Sequence, residues 1–228
     1  MNIFQKLTEK PWEPSSDAMA AAVATGPTSQ IDARKLMLNI FLAIVSVLFL
    51  LIFATFITHS QYPGFESLAG EPWKPFADTT NLWLNTLWLT LSSVAMHTGL
   101  VKARRGISGH ALIAMVLAIF FAVQFVLAQL WLWRDLSGMG YTLPSNPANS
   151  YFYLMTGVHA LHLIGGLVVV LRSTFLLWRG GALERIQNSL KLCATYWHYL
   201  LGLWLVLFFL LTRSPETYRA IAIACGLG

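Results

Sequence analysis

Residues 36–58 read LMLNIFLAIVSVLFLLIFATFIT, with no Asp, Glu, Lys or Arg among them. Wound as a helix at about 1.5 Å per residue, such a run covers the roughly 30 Å of hydrocarbon in a bilayer. Four further runs share its character, at 82–101, 111–133, 151–171 and 192–211, and none contains a charged residue. The whole chain of 228 residues is 56% hydrophobic and only 11% charged, where a soluble domain carries about 25% charged residues. The fold class that follows is all-α, an integral membrane bundle of five transmembrane helices at 36–212. An arm at 1–35 precedes it and a short tail at 213–228 follows.

Basic residues alternate by connection. Lys6, Lys10, Arg34 and Lys35 precede the first run, and only Lys74 follows it. Lys102, Arg104 and Arg105 join the second and third runs, Arg134 alone joins the third and fourth, and Arg172, Arg179, Arg185 and Lys191 join the last two. The bias places the N-terminus in the cytoplasm and, after five crossings, the C-terminus outside, with Arg213 and Arg219 dissenting in the tail. The net charge of +5 is accounted for by the inner loops rather than by nucleic-acid binding. Cys193 and Cys225 fall on opposite sides, so no disulfide is expected between them. The first run lacks the basic, apolar and small-residue pattern of a cleaved signal and reads as a retained helix.

Pro11, Pro14 and Pro27, with Ala18, Ala20, Ala21 and Ala22, mark the arm as a surface segment. The loop from His59 to Thr80 carries Pro63, Pro72, Pro75, Trp73 and Phe76 and should lie along the surface. Gly138, Gly140, Pro144 and Pro147 break the chain before the fourth helix, with Asn149 or Ser150 as its cap; Gly180 and Gly181 punctuate the turn after it. Trp83, Trp88, Trp131, Trp133 and Trp178 read as interfacial anchors.

Because hydrocarbon supplies no hydrogen bonds, each polar side chain inside a crossing needs a protein or lipid partner, at a cost of about 2–7 kcal/mol without one. These are Asn39; Asn85, Thr86, Ser92, Ser93 and His97; Gln124 and Gln129; His159 and His162; and Tyr196 and His198. His159 and His162 share a helix face, and Gly166 four residues on offers a close approach for a neighbouring backbone. Packing, metal or haem ligation and proton relay are all open to these imidazoles. Ligation of haem would need His97 or His198 as a second axial ligand, and relay lacks any carboxylate inside a crossing.

Three segments together resemble subunit III of the haem-copper respiratory oxidases, the cytochrome c oxidase subunit 3 family in its short, five-helix form. LNTLWLTLSS at 84–93 is similar to the family's Leu-Asn-Thr and Ser-Ser, here Asn85, Thr86, Ser92 and Ser93. YFYLMTGVHALHLIGG at 151–166 is similar to its Thr-Gly-x-His-x-x-His-x-x-x-Gly, here Thr156, Gly157, His159, His162 and Gly166. TYWHYLLGLWLVLF at 195–208 is similar to its Tyr-Trp-His with a later Trp, here Tyr196, Trp197, His198 and Trp204; Gln129 matches at the end of the third helix.

The resemblance implies a non-catalytic accessory subunit with no catalytic, cofactor or metal residues of its own, these positions serving as helix contacts. It implies haem and copper in partner chains, namely a catalytic subunit I that reduces oxygen and a subunit II, and it implies bound phospholipid. His159 and His162 would then tie the fourth helix to its neighbours by hydrogen bonds. The chain departs from the family where buried carboxylates are usual: near Val45 and Ser46, at Leu132 and at Leu201. Relatives of the family also accompany nitric oxide reductases, and an independent membrane haem carrier using His97, His159 or His198 is the reading from another class.

Overall fold

A computed structural model describes residues 27–69, 74–76, 78–180 and 183–226. The arm before residue 27, with its prolines and alanines, lies outside the described residues, as do Pro72, Trp73 and Gly181. Six helices form: α1 Pro27–His59, α2 Thr80–Arg104, α3 Ser108–Gly138, α4 Pro147–Trp178, α5 Leu183–Leu211 and α6 Pro215–Ala224. The residues up to Phe41 form one unit and Leu42–Gly228 the other.

Each of the five apolar runs lies inside one of the first five helices, which outrun them at nearly every end. The extra turns are polar: α5 begins at Leu183, well before its apolar part, and α3 takes in Arg134 and Asp135. Backbone hydrogen bonds continue a helix past the last apolar residue until a turn stops it. Gly106 (φ +75°) does so after α2 and Gly180 (φ +72°) after α4. The tail holds α6, which hydropathy alone does not signal.

Four helices are long and apolar enough to cross a membrane: Ala33–His59, Ser108–Gly138, Pro147–Trp178 and Ile186–Leu211. The helix Thr80–Arg104 falls short of that apolarity, being diluted by Asn85, Thr86, Thr90, Ser92, Ser93, His97 and Thr98.

α2 packs against α3 and α5, and α4 packs against the same two, so the four helices close into a ring. The α2–α3 seam is lined with small residues: Gly99 lies against Ala111 and Ala114, and Ser92 reaches the Ala118 carbonyl. Small side chains let helix backbones approach, the usual device where no water drives association. A methyl group on Gly99 would lie 3.3 Å from Met115 Cγ. From Leu42 onward, α1 leans on the ring through one stripe, Val45, Phe49 and Phe56, all at most 2% exposed. Phe56 meets Tyr151 edge-on at 5.5 Å and Tyr218 of α6 at 5.2 Å. Tyr218 is buried, donates to the Leu210 carbonyl at 2.8 Å, and burial pushes its hydroxyl pKa up.

The cap of α4 differs from the sequence expectation. Asn146, not Asn149 or Ser150, is the N-cap, its side chain accepting from Ala148 N at 3.0 Å with Pro147 as first helical residue. Proline fits there because its missing N–H is one that the first turn leaves unpaired anyway. Asn146 also clamps the α1–α2 loop, donating Nδ2–H to the Glu66 carbonyl at 2.6 Å and accepting from Glu66 N at 3.4 Å. Asn146→Ala should cost about 1–2 kcal/mol and speed amide exchange at Glu66 and Ala148; wild-type exchange at both would refute the clamp.

Candidate helix-contact site

Many of the motif residues are buried in the ring and meet there across helices. Trp197 of α5 donates its indole N–H to Ser92 Oγ of α2 at 2.8 Å, and Ser92 donates onward to the Ala118 carbonyl of α3 at 2.7 Å. One serine thus joins three helices. Two turns along, Trp204 Nε1 donates to Thr86 Oγ1 at 3.0 Å, and Thr86 donates to its own Leu82 carbonyl at 2.8 Å. Asn85 Nδ2 donates to Gln129 Oε1 of α3 at 3.0 Å, with both side chains buried. Gln129 Nε2 has no partner among the described residues.

Between α3 and α4, Trp133 Nε1 donates to Thr156 Oγ1 at 3.2 Å. Trp133 is therefore a helix contact rather than the interfacial anchor expected of it; Trp131 and Trp178 do project outward, 66% and 68% exposed. Between α4 and α5, Tyr196 donates its hydroxyl to the His162 carbonyl at 2.9 Å. Directly below, Gly166 admits the rings of Tyr196 and Trp197: a Cβ there would stand 2.7 Å from Tyr196 Cε1 and 2.9 Å from Trp197 Cζ3. Gly157 has only Trp133 near it, at 3.8 Å from the same imagined carbon.

Of the two α4 histidines, His159 departs from the expectation of hydrogen bonds to neighbouring helices. His162 Nδ1 pairs at 2.7 Å with the Val158 carbonyl of its own helix, and its ring lies 6.1 Å from Phe49 of α1. His159 is fully buried, and neither ring nitrogen has a partner among the described residues. Its contacts are aromatic instead, Trp204 at 5.4 Å and Phe125 edge-on at 5.9 Å. The imidazole serves here as a flat ring that fills the centre of the bundle. His159→Phe should therefore leave the unfolding midpoint of the purified chain unchanged or raised, since it removes two uncompensated polar atoms at similar volume. A fall of several degrees would show that the nitrogens matter.

His198 points the other way. It is exposed on α5, with Nδ1 2.6 Å from Ser93 Oγ and Nε2 3.4 Å from Nδ1 of the exposed His97. Among the described residues no three His, Cys, Asp or Glu side chains come together as a metal-binding group, and both cysteines are free. Some contacts escaped the sequence reading. Ser46 and Tyr199 share a hydroxyl hydrogen bond of 2.9 Å that joins α1 to α5, and Tyr151 meets His59 Nδ1 at 2.8 Å, joining α1 to α4. A hydroxyl facing a hydroxyl 153 residues away has no local signature.

These features define the class: a multi-pass helical membrane protein whose intramembrane polar side chains serve mainly to join its helices. The profile of the cytochrome c oxidase subunit III family matches residues 12–213, and the chain belongs to that family. It is 33% identical over 153 residues to the probable cytochrome c oxidase subunit 3 of Mycobacterium bovis, covering 64% of this chain and 74% of that one. The cytochrome c oxidase subunit 3 of Thermostichus vulcanus is 30% identical over 189 residues, 79% of this chain and 87% of that one. That of Synechocystis is 28% identical over 197 residues, 82% and 78%. The protein is thus an accessory subunit of a respiratory-chain oxidase.

Proposed function

We propose that the chain crosses the bacterial inner membrane five times, N-terminus inside and C-terminus in the periplasm, and stabilises the metal-bearing subunits I and II of an oxygen-reducing oxidase without binding haem or copper itself. On this reading residues 36–212 are the membrane domain between a cytoplasmic arm and a short tail. The observation that carries it is how the motif residues are used: Asn85, Thr86, Ser92, Gln129, Thr156, Tyr196, Trp197 and Trp204 are bonded to one another or to backbone across helices. Such groups hold a scaffold.

α2 counts as a crossing despite its polarity because its polar side chains mostly point into the ring while Trp83, Leu84, Leu87 and Val94 point outward. Phospholipid is assigned to the outer surfaces, in particular to a groove of about 350 Å³ between α1 and α5 lined by Phe49, Leu50, Phe53, Leu203 and Val206 beside the Ser46–Tyr199 pair. Its walls are almost wholly hydrocarbon, matched to an acyl chain.

Purification in mild detergent with a non-histidine affinity tag tests the proposal. A colourless chain that arrives with a haem-containing subunit, and loses the haem bands when stripped of it, is the expected result. Haem retained by the isolated chain would overturn it.

A further inference from the structure

We propose that His97, at the end of a directed chain of hydrogen bonds, presents an N–H donor to an acceptor on a transmembrane helix of the haem-bearing partner, so that the α2–α5 face around it is the docking face. The inference rests on the accessory-subunit reading above and adds the surface and its chemistry.

The direction follows from Ser93. Its side chain is 1% exposed, and a buried hydroxyl needs an acceptor for its proton. Thr86 and Thr90 donate to carbonyls four residues back, Leu82 and Thr86, at 2.8 Å each. Among the described residues Ser93 meets only one group, His198 Nδ1 at 2.6 Å. Ser93 therefore donates and Nδ1 accepts. A neutral imidazole with an unprotonated Nδ1 carries its proton on Nε2, so His198 donates through Nε2 to His97 Nδ1 at 3.4 Å. The same logic leaves His97 with its proton on Nε2. That N–H has no partner among the described residues, and the residue is exposed.

His97 stands five residues from the middle of α2, hence about 7–8 Å along its axis. That is well inside the roughly 15 Å half-thickness of the hydrocarbon, where acyl chains offer no acceptor. Intramembrane polar residues face protein or a polar cavity rather than lipid. Val94, one turn away and 55% exposed, supplies an apolar contact beside the donor. A helix carrying a carbonyl, hydroxyl or carboxylate acceptor fits this face.

Co-purification from native membranes through a non-histidine tag reads the inference as the ratio of haem to tagged chain. His97→Leu and His198→Leu should each lower that ratio roughly tenfold, the scale of losing one interhelical hydrogen bond plus its geometry. His97→Gln, which keeps a donor, should retain most of it, and Val94→Trp should lower it by obstruction. Unchanged unfolding midpoints of the isolated variants separate docking from folding. A wild-type ratio in His97→Leu, or equal losses in the Gln and Leu variants, would overturn the inference while the accessory reading stands. A wild-type chain that brings down no haem subunit would sink both.

Discussion

Replacing Gly166 with alanine should destabilise the purified chain by about 1–3 kcal/mol, and valine should cost more. Alanine is the better helix former by about 1 kcal/mol, so a loss means that crowding wins. It wins because the neighbours cannot give way. The new methyl would stand 2.7 Å from Tyr196 Cε1 and 2.9 Å from Trp197 Cζ3. Tyr196 is held by its bond to the His162 carbonyl, and Trp197 by its bond to Ser92. Moving either ring breaks a hydrogen bond in a place without water to replace it. Gly165 is the control: nothing lies within 4 Å of a Cβ there, so Gly165→Ala should be neutral or stabilising. Thermal unfolding in detergent decides the matter, and equal midpoints for the two variants would mean that α4 and α5 are not wedged at Gly166.

Much of this arrangement is legible in the sequence because hydrocarbon is a strict solvent. A run without charge, such as 36–58, has few destinations, and a helix forms over each of the five runs. Gly166 was readable as a close approach because a small residue on the face of His159 and His162 has little other use. What the pattern withholds is the identity of partners. The Trp of a membrane helix can anchor at the headgroups or reach a hydroxyl on the next helix; Trp131 projects outward while Trp133 reaches Thr156, two residues apart on opposite sides of α3. Helix periodicity places both near one end but does not say which side faces α4.

His159 misleads in the same way, since a histidine in an apolar run implies a hydrogen bond and this one is used for its ring. The short helix α6 was hidden for a different reason. It is held by one buried tyrosine and a small face, a signal too weak to stand above a tail. At Asn146 the confusion was between neighbours, because Asn146, Asn149 and Ser150 can all cap, lie within five positions, and only the geometry of Pro147 selects among them.

Trp204→Ala should produce the largest loss of any single change in the bundle, about 3–5 kcal/mol. The indole is 1% exposed and sits where three helices converge: it meets Phe125 of α3 edge-on at 4.8 Å, His159 of α4 at 5.4 Å, and Thr86 of α2 through its N–H. Deleting it opens a cavity beside an imidazole that has no hydrogen bond of its own. Trp204→Phe keeps most of the ring and loses the N–H, so it should cost about 1–2 kcal/mol. Thr86→Val should cost about 1–3 kcal/mol, because it leaves the buried indole N–H without an acceptor. The double change Trp204→Phe with Thr86→Val then removes both ends of the bond at once, and its cost should fall below the sum of the two single costs. Strict additivity would show that the indole contributes by volume alone, leaving its hydrogen bond to α2 without energetic weight.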